Sequence, residues 1–159
     1  MKSSKSLSHV RADGSLTMVD VGAKVASERS ARAVARVRMN DDAARALRDA
    51  TLAKGDAFAA AQIAGILAAK RTDELIPLAH PLAIAAVDVG FAWDDANTLR
   101  IETRASTVGP TGVEMEAMVA ATLAALTVYD MCKALDKGIT IEDVRLLEKT
   151  GGKSGTWRA

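Results

Sequence analysis

The chain has 159 residues, enough for one domain with a real core. Hydrophobic residues make up 49% and aromatics only 3%, so alanine must fill much of the interior and the elements must approach closely. With 21 Lys and Arg against 20 Asp and Glu, the net charge of +1 excludes nucleic-acid binding through a globally basic surface, although not a local cationic pocket.

Residues 1–17 are polar and aperiodic and read as a flexible lead-in; residues 18–150 read as one domain, and 151–159 as a glycine-rich loop and tail. From Ser30 to Met39, Ala31, Ala33, Ala35, Val37 and Met39 alternate with Ser30, Arg32, Arg36 and Arg38, which predicts a half-buried strand with a basic outer face. Asp41 to Ala50 predicts a short helix. A longer helix is expected from Asp56, its N-cap after Gly55, to about Lys70, with Ala59, Ile63, Ile66 and Leu67 along one stripe and mostly alanine on the other faces, so that it is buried broadly. Val87, Val89, Phe91 and Trp93 mark a second strand, Asp94 to Asn97 a turn, and Leu99 to Arg104 a third strand completing a hairpin. After Gly109-Pro110-Thr111-Gly112 a long helix is expected from Val113 to about Lys137, stopped by Gly138, and then a last strand from Val144 to Lys149. The order strand, helix, strand, strand, helix, strand is that of a ferredoxin-like α+β sandwich, βαββαβ, with two main helices on one face of an antiparallel sheet. The long helix is apolar nearly all round, which predicts self-association.

The single cysteine, Cys132, excludes an intramolecular disulfide and fits a reducing compartment. No apolar signal core follows the first six residues, and the most apolar stretch, 113–135, carries Glu114, Glu116, Asp130 and Lys133. A cytoplasmic protein without a membrane partner is the expectation.

Several motifs carry chemistry. In Leu75-Ile76-Pro77-Leu78-Ala79-His80-Pro81 a histidine is stiffened between two prolines; this suits a site residue or a buried turn equally. Lys54-Gly55-Asp56 puts an ammonium ahead of a helix start, where a solvated lysine beside an ordinary cap is the plainer reading. Asp130 and Lys133 are neighbours on an otherwise apolar helix segment, as a proton-transfer pair or a structural ion pair. Cys132 reads as a small buried hydrophobe. Glu114 and Glu116 diverge on a helix and do not form a metal pair, and no cluster has zinc spacing. Gly152-Lys153-Ser154 lacks the glycine a phosphate loop needs at position 147, which is Leu147, leaving a flexible cationic loop able to close over an anion. Arg29, Arg32, Lys54, Lys70, Arg71, Lys133, Lys149 and Lys153 could converge on a phosphorylated small molecule.

Eight motifs then occur in one order: Met18-Val19-Asp20-Val21, Lys54-Gly55-Asp56, Gln62 to Ile66, Ala69-Lys70-Arg71-Thr72, Leu75 to Pro81, Thr111 to Glu116, Tyr129 to Lys133, and Gly151 to Gly155. In this the chain resembles the molybdenum cofactor biosynthesis protein C (MoaC) family, the cyclic pyranopterin monophosphate synthases, from about His9 to Gly155. The resemblance implies a ferredoxin-like fold and a homohexamer, a trimer of dimers with active sites at the dimer interface. The implied substrate is (8S)-3′,8-cyclo-7,8-dihydroguanosine 5′-triphosphate, a cyclised guanosine triphosphate, converted to cyclic pyranopterin monophosphate with release of pyrophosphate. It makes Asp130, Lys54 and Lys133 catalytic. It makes Leu78, Ala79, His80, Met115 and Glu116 substrate-binding, with Arg29, Lys149 and Lys153 as phosphate contacts. The family often has cysteine where this chain has Ala79, so no thiol is required there. His9 is read as structural or interfacial. No cofactor and no metal site are expected; magnesium could accompany the triphosphate. The rival reading is a non-catalytic ferredoxin-like nucleotide- or RNA-binding module. Against it, residues 98–108 carry no aromatic for base stacking, and Phe91 and Trp93 share the face of Val87 and Val89.

Overall fold

The computed structural model describes residues 10, 11 and 13–159. His9 and much of the expected lead-in lie outside the described residues. Within it, Val10 and Leu16 form an isolated bridge around a tight turn at Gly14.

β1 (Ser27–Arg38) starts three residues earlier than the alternation suggested and buries Ala31, Ala33, Ala35 and Val37 almost completely. α1 (Asp41–Arg48) is capped by the Asn40 side chain, which accepts from the Ala43 N–H at 2.9 Å. α2 (Ala57–Ala69) begins where the sequence placed it, Asp56 accepting from the Ala59 N–H at 3.0 Å. The one-turn α3 (Thr72–Leu75) was not anticipated. β2 (Ile84–Trp93) and β3 (Thr98–Gly109) make the predicted hairpin, α4 (Glu114–Cys132) crosses back, β4 (Thr140–Thr150) follows, and a two-residue β5 (Trp157–Arg158) closes the chain. The sheet order is β2-β3-β1-β4-β5 with every pair antiparallel. The first four strands, with α2 and α4 packed over the sheet, form the expected ferredoxin-like α+β sandwich.

Two expectations need correction. α4 does not run to Gly138. Lys133 caps it, and the next residues turn away because the Asp136 carboxylate accepts from the backbone N–H groups of Asn40 (2.8 Å) and Gly138 (2.7 Å). Those bonds offer the backbone an alternative to the helical ladder. Nor is α2 buried broadly: the stripe of Ala59, Ile63, Ile66 and Leu67 lies largely outside. α2 turns Ala57, Ala61, Gly65 and Ala68 inward, while Ile63 and Leu67 are 59% and 48% exposed and Ile66 is only partly buried. The reason is the closeness of α2 to α4. A Cβ on Gly65 would stand 3.0 Å from the Ala120 carbonyl oxygen and 3.1 Å from Val89 Cγ2, so only small residues fit the contact. α4 answers with Ala117, Ala120, Ala121, Ala124 and Ala125, all fully buried. α4 is also the one described helix long and apolar enough to cross a bilayer, but half of that window is buried against the rest of the fold.

Phe91 and Trp93 belong to the packed side of the sheet, as their alternation implied. Phe91 meets the Phe58 ring at 4.9 Å and Arg48 lies over Trp93 at 3.9 Å, so neither is an open stacking platform. On the other face the basic stripe of β1 is neutralised. Arg32 pairs with Glu102 at 2.9 Å, and Arg36 pairs with Asp94 at 2.6 Å and with Asp143. Arg100 lies near Asp94 and Glu102.

Candidate active site

Three groups of side chains can be built up separately. The first forms around the histidine turn. α3 ends at Ile76, which Pro77 holds in extended geometry and whose carbonyl closes the next turn by accepting from the Ala79 N–H at 3.0 Å. His80 Nε2 lies 2.7 Å from the Val19 carbonyl oxygen. A carbonyl only accepts, so Nε2 carries the proton, and in the neutral ring Nδ1 is left as the acceptor. The turn, the segment around Val19 and Val21, and the first turn of α4 enclose a cleft of about 380 Å³ lined by Leu78, Ala79, His80, Met115 and Glu116. Glu116 is 4% exposed; burial raises its carboxyl pKa, and the charges of Glu114 and Asp73 push it the same way.

The second group is cationic. A neighbouring cleft of about 880 Å³ is lined by Lys24, Arg29, Lys149, Gly152, Lys153 and Ser154, among others. The clefts share Lys24, Thr111, Gly112 and Glu114 and so form two lobes of one groove. Among the described residues, Arg29 Nε is buried without a hydrogen-bond partner, an uncompensated donor at the edge of this lobe. Lys149 is tied to Glu114 at 3.1 Å, so an anion entering here competes with a carboxylate for it. Leu78, Ala79, His80, Met115 and Glu116, expected to bind substrate, all line the first lobe, and Arg29, Lys149 and Lys153, expected as phosphate contacts, all line the second. Lys24 was missed; its one sequence signal was its place just after the Met18 to Val21 motif.

The third group stands apart. Lys54, just ahead of α2, donates to the Asp130 backbone carbonyl (2.7 Å) and to Asp130 Oδ2 (2.8 Å). Lys133 approaches Asp130 Oδ1 at 2.7 Å. One carboxylate is thus clasped between two ammonium groups. The Lys133 contact, and then the Lys54 contact, draw the Asp130 carboxyl down to about 2, and Asp130 raises Lys133 in return. The sequence suggested that this pair lies in a buried apolar wall. Instead the Asp130 and Lys133 side chains are 54% and 50% exposed, because they lie on the side of the helix end opposite the fully buried Val128 and Cys132. Cys132 is fully buried and free, and burial raises its thiol pKa, so it is a packing residue. Among the described residues no group of three His, Cys, Asp or Glu side chains could hold a metal ion.

Within one chain the triad and the groove do not meet. Met115 and Asp130 lie near opposite ends of α4, about 22 Å apart at the helical rise of about 1.5 Å per residue.

Comparison with known proteins bears on the whole assembly of residues. The MoaC family model matches residues 18–152, the span that carries the triad and nearly all of the groove. The cyclic pyranopterin monophosphate synthase of Heliobacterium modesticaldum is 53% identical over 150 residues, 94% of each chain. Those of Listeria monocytogenes and Listeria welshimeri are 50% and 51% identical over 153 residues, 96% of each chain. With the fold, the ordered motifs and this full-length similarity in agreement, the chain belongs to the MoaC family.

Proposed function

We infer that the protein is a lyase of molybdenum cofactor biosynthesis, a cyclic pyranopterin monophosphate synthase. It converts (8S)-3′,8-cyclo-7,8-dihydroguanosine 5′-triphosphate to cyclic pyranopterin monophosphate and pyrophosphate. The observation that carries this reading is the two-lobed groove, which sets a half-apolar lobe beside a cationic one. The ring system lies against Leu78, Ala79, His80, Met115 and Glu116, and the triphosphate against Arg29, Lys149 and Lys153, joined by Lys24. Forming the cyclic phosphate requires a sugar oxygen to attack the α-phosphorus while the bond to the β-phosphate breaks. Cations on the departing pyrophosphate stabilise the charge that develops on it. The unpartnered Arg29 Nε gains an acceptor when a phosphate enters. Magnesium, where it accompanies the triphosphate, arrives with the substrate.

Asp130, Lys54 and Lys133 together serve the opening and reclosing of the ring. With its pKa drawn to about 2, Asp130 is ionised at neutral pH. It therefore orients the ammonium groups, and Lys54 and Lys133 are the proton donors. A second copy of the chain completes the site. Ile63, Leu67, Leu126 and Met115 are exposed apolar side chains on the helix layer. A two-fold axis crossing α4 near Thr122 and Leu123 would lay the two helices antiparallel and bring Asp130 of the partner subunit to the groove. Three such dimers make the hexamer of the family. The assembly is cytoplasmic and contacts neither nucleic acid nor membrane; the pairing of the β1 arginines with acids supports the former.

The direct test is incubation with the cyclised triphosphate and detection of pyrophosphate and pterin; no product would refute the activity. Subunit mixing tests the shared site. Asp130→Asn and Glu116→Gln chains, each inactive alone, should recover about a quarter of wild-type activity on random reassembly, since half the dimers then hold one intact site. No recovery would place the whole site within one chain.

A further inference from the structure

The last three residues are pinned to the sheet. In β5, Arg158 stands opposite Glu148 and Trp157 opposite Lys149. The Ala159 N–H donates to the Leu147 carbonyl at 3.0 Å, and Arg158 Nε donates to Glu148 Oε2 at 2.7 Å. That contact holds the Glu148 carboxyl below its ordinary range. The glycine-rich loop between β4 and β5 is therefore fastened at both ends. It also leans on the start of β1. Gly151 has a φ of +91°, and a Cβ there would run into the Glu28 carbonyl oxygen, while a Cβ on Gly152 would meet the Arg29 guanidinium. Directly opposed residues of an antiparallel pair share a face. Trp157 thus stands on the face of Lys149, the face from which Lys149 reaches Glu114 in the cationic lobe.

We propose that Trp157, Arg158 and Ala159 are positioning residues. As β5 they close the loop so that Lys153 and Arg29 are set for the triphosphate before it arrives. This rests on the cationic lobe being the triphosphate site. The physical reason is entropic: a loop fastened at one end only must be ordered out of the ligand's binding energy, and a loop fastened at both ends is ordered already. Once the triphosphate is bound, its own charge orders the loop and the cations take the same places with or without the strap, so the effect of the strap falls on binding and not on the chemical step.

The test is a chain ending at Thr156, compared with the full chain for steady-state kinetics, tripolyphosphate binding and amide exchange over residues 150–156. The shortened chain should bind tripolyphosphate about tenfold more weakly and show a KM raised by a similar factor, with kcat within about twofold. Its loop amides should exchange faster. A KM and tripolyphosphate affinity within about twofold of the full chain would overturn the proposal, as would a fall in kcat at unchanged KM. Should the shortened chain not fold, Arg158→Glu decides by the same readouts: it should weaken binding, and Glu148→Arg added to it should restore binding by reversing the pair. Failure of the activity and failure of the strap read differently. A full chain that binds tripolyphosphate more tightly than the shortened one, yet does not turn over the cyclised triphosphate, keeps the strap and loses the reaction. A full chain that does not bind tripolyphosphate loses both.

Discussion

Gly65 couples the packing of the fold to the geometry of the triad. α2 and α4 touch there, α2 is preceded by Lys54, and α4 ends beside Asp130. A methyl group on Gly65 would lie 3.0 Å from the Ala120 carbonyl oxygen, 3.1 Å from Val89 Cγ2 and 3.4 Å from Ala124 Cβ. Relief requires the helices to separate by a few tenths of an ångström. Gly65→Ala gains about 1 kcal/mol of helix propensity. Against this stands overpacking, which costs about 1–3 kcal/mol in a filled contact. The net expectation is a loss of about 0–2 kcal/mol, or up to about 8 °C in Tm for a chain of this length. Gly65→Val adds two further carbons against the same backbone and a β-branch, and should lose about 3 kcal/mol or more. Any separation of α2 from α4 also draws Lys54 away from Asp130, so kcat should fall in the same order, wild type, Ala, Val. The assays are a circular-dichroism melt and a single-turnover measurement on each protein. A Gly65→Val chain that melts with the wild type and turns over normally would refute the claim that this contact sets the helix spacing.

Asp130→Asn should fold and assemble but lose turnover, since both ammonium groups lose their anchor; near-normal product formation would remove Asp130 from the mechanism. In the wild type the depressed Asp130 carboxyl contributes stability that is fully present above the ordinary carboxylate range and fades as pH falls toward about 2, a dependence that acid titration of Asp130→Asn should lack. Lys54→Ala should depress kcat severely, whereas Lys153→Ala should mainly raise KM and do so more at low salt; a Lys54→Ala change confined to KM would move Lys54 to triphosphate binding. Glu116, whose pKa is raised, stabilises the fold only below the ordinary glutamate range and loses that contribution as pH rises through its folded value. Glu116→Gln should therefore melt higher than wild type near pH 8, with the difference shrinking toward pH 4; a lower Tm at pH 8 would contradict it. Light scattering should find an oligomer at micromolar concentration, and a stable monomer would count against the shared site.

What the sequence made legible was mostly local. The Asp56 cap, the alternation of β1 and the turn at Asp94 to Asn97 each depend on a few adjacent residues, and each is where the pattern put it. The burial of α2 was misread because it is decided by α4. Where two helices touch at a glycine, the small residues go inside and Ile63 and Leu67 are left out, the reverse of the usual hydrophobic count. β5 is too short to have a period. The Asp130 and Lys133 pairing followed from helical spacing, but the Lys54 bond spans 76 residues of sequence and only the ordered motifs pointed to it. Lys24 carried no pattern of its own, and only the groove brings it to Arg29, Lys149 and Lys153.

α4 also acts as a ruler. Because Met115 and Glu116 ride on its first turn and Asp130 on its last, the helix fixes both the distance and the angle between the groove and the triad. Inserting one residue between them would lengthen the ruler by about 1.5 Å but swing one end by about 100° around the axis. Seven residues would nearly restore the angle, at about 10 Å of extra length. No insertion satisfies both, so the residue count of α4 is constrained along its whole length, whereas its composition is constrained on the alanine face that meets α2.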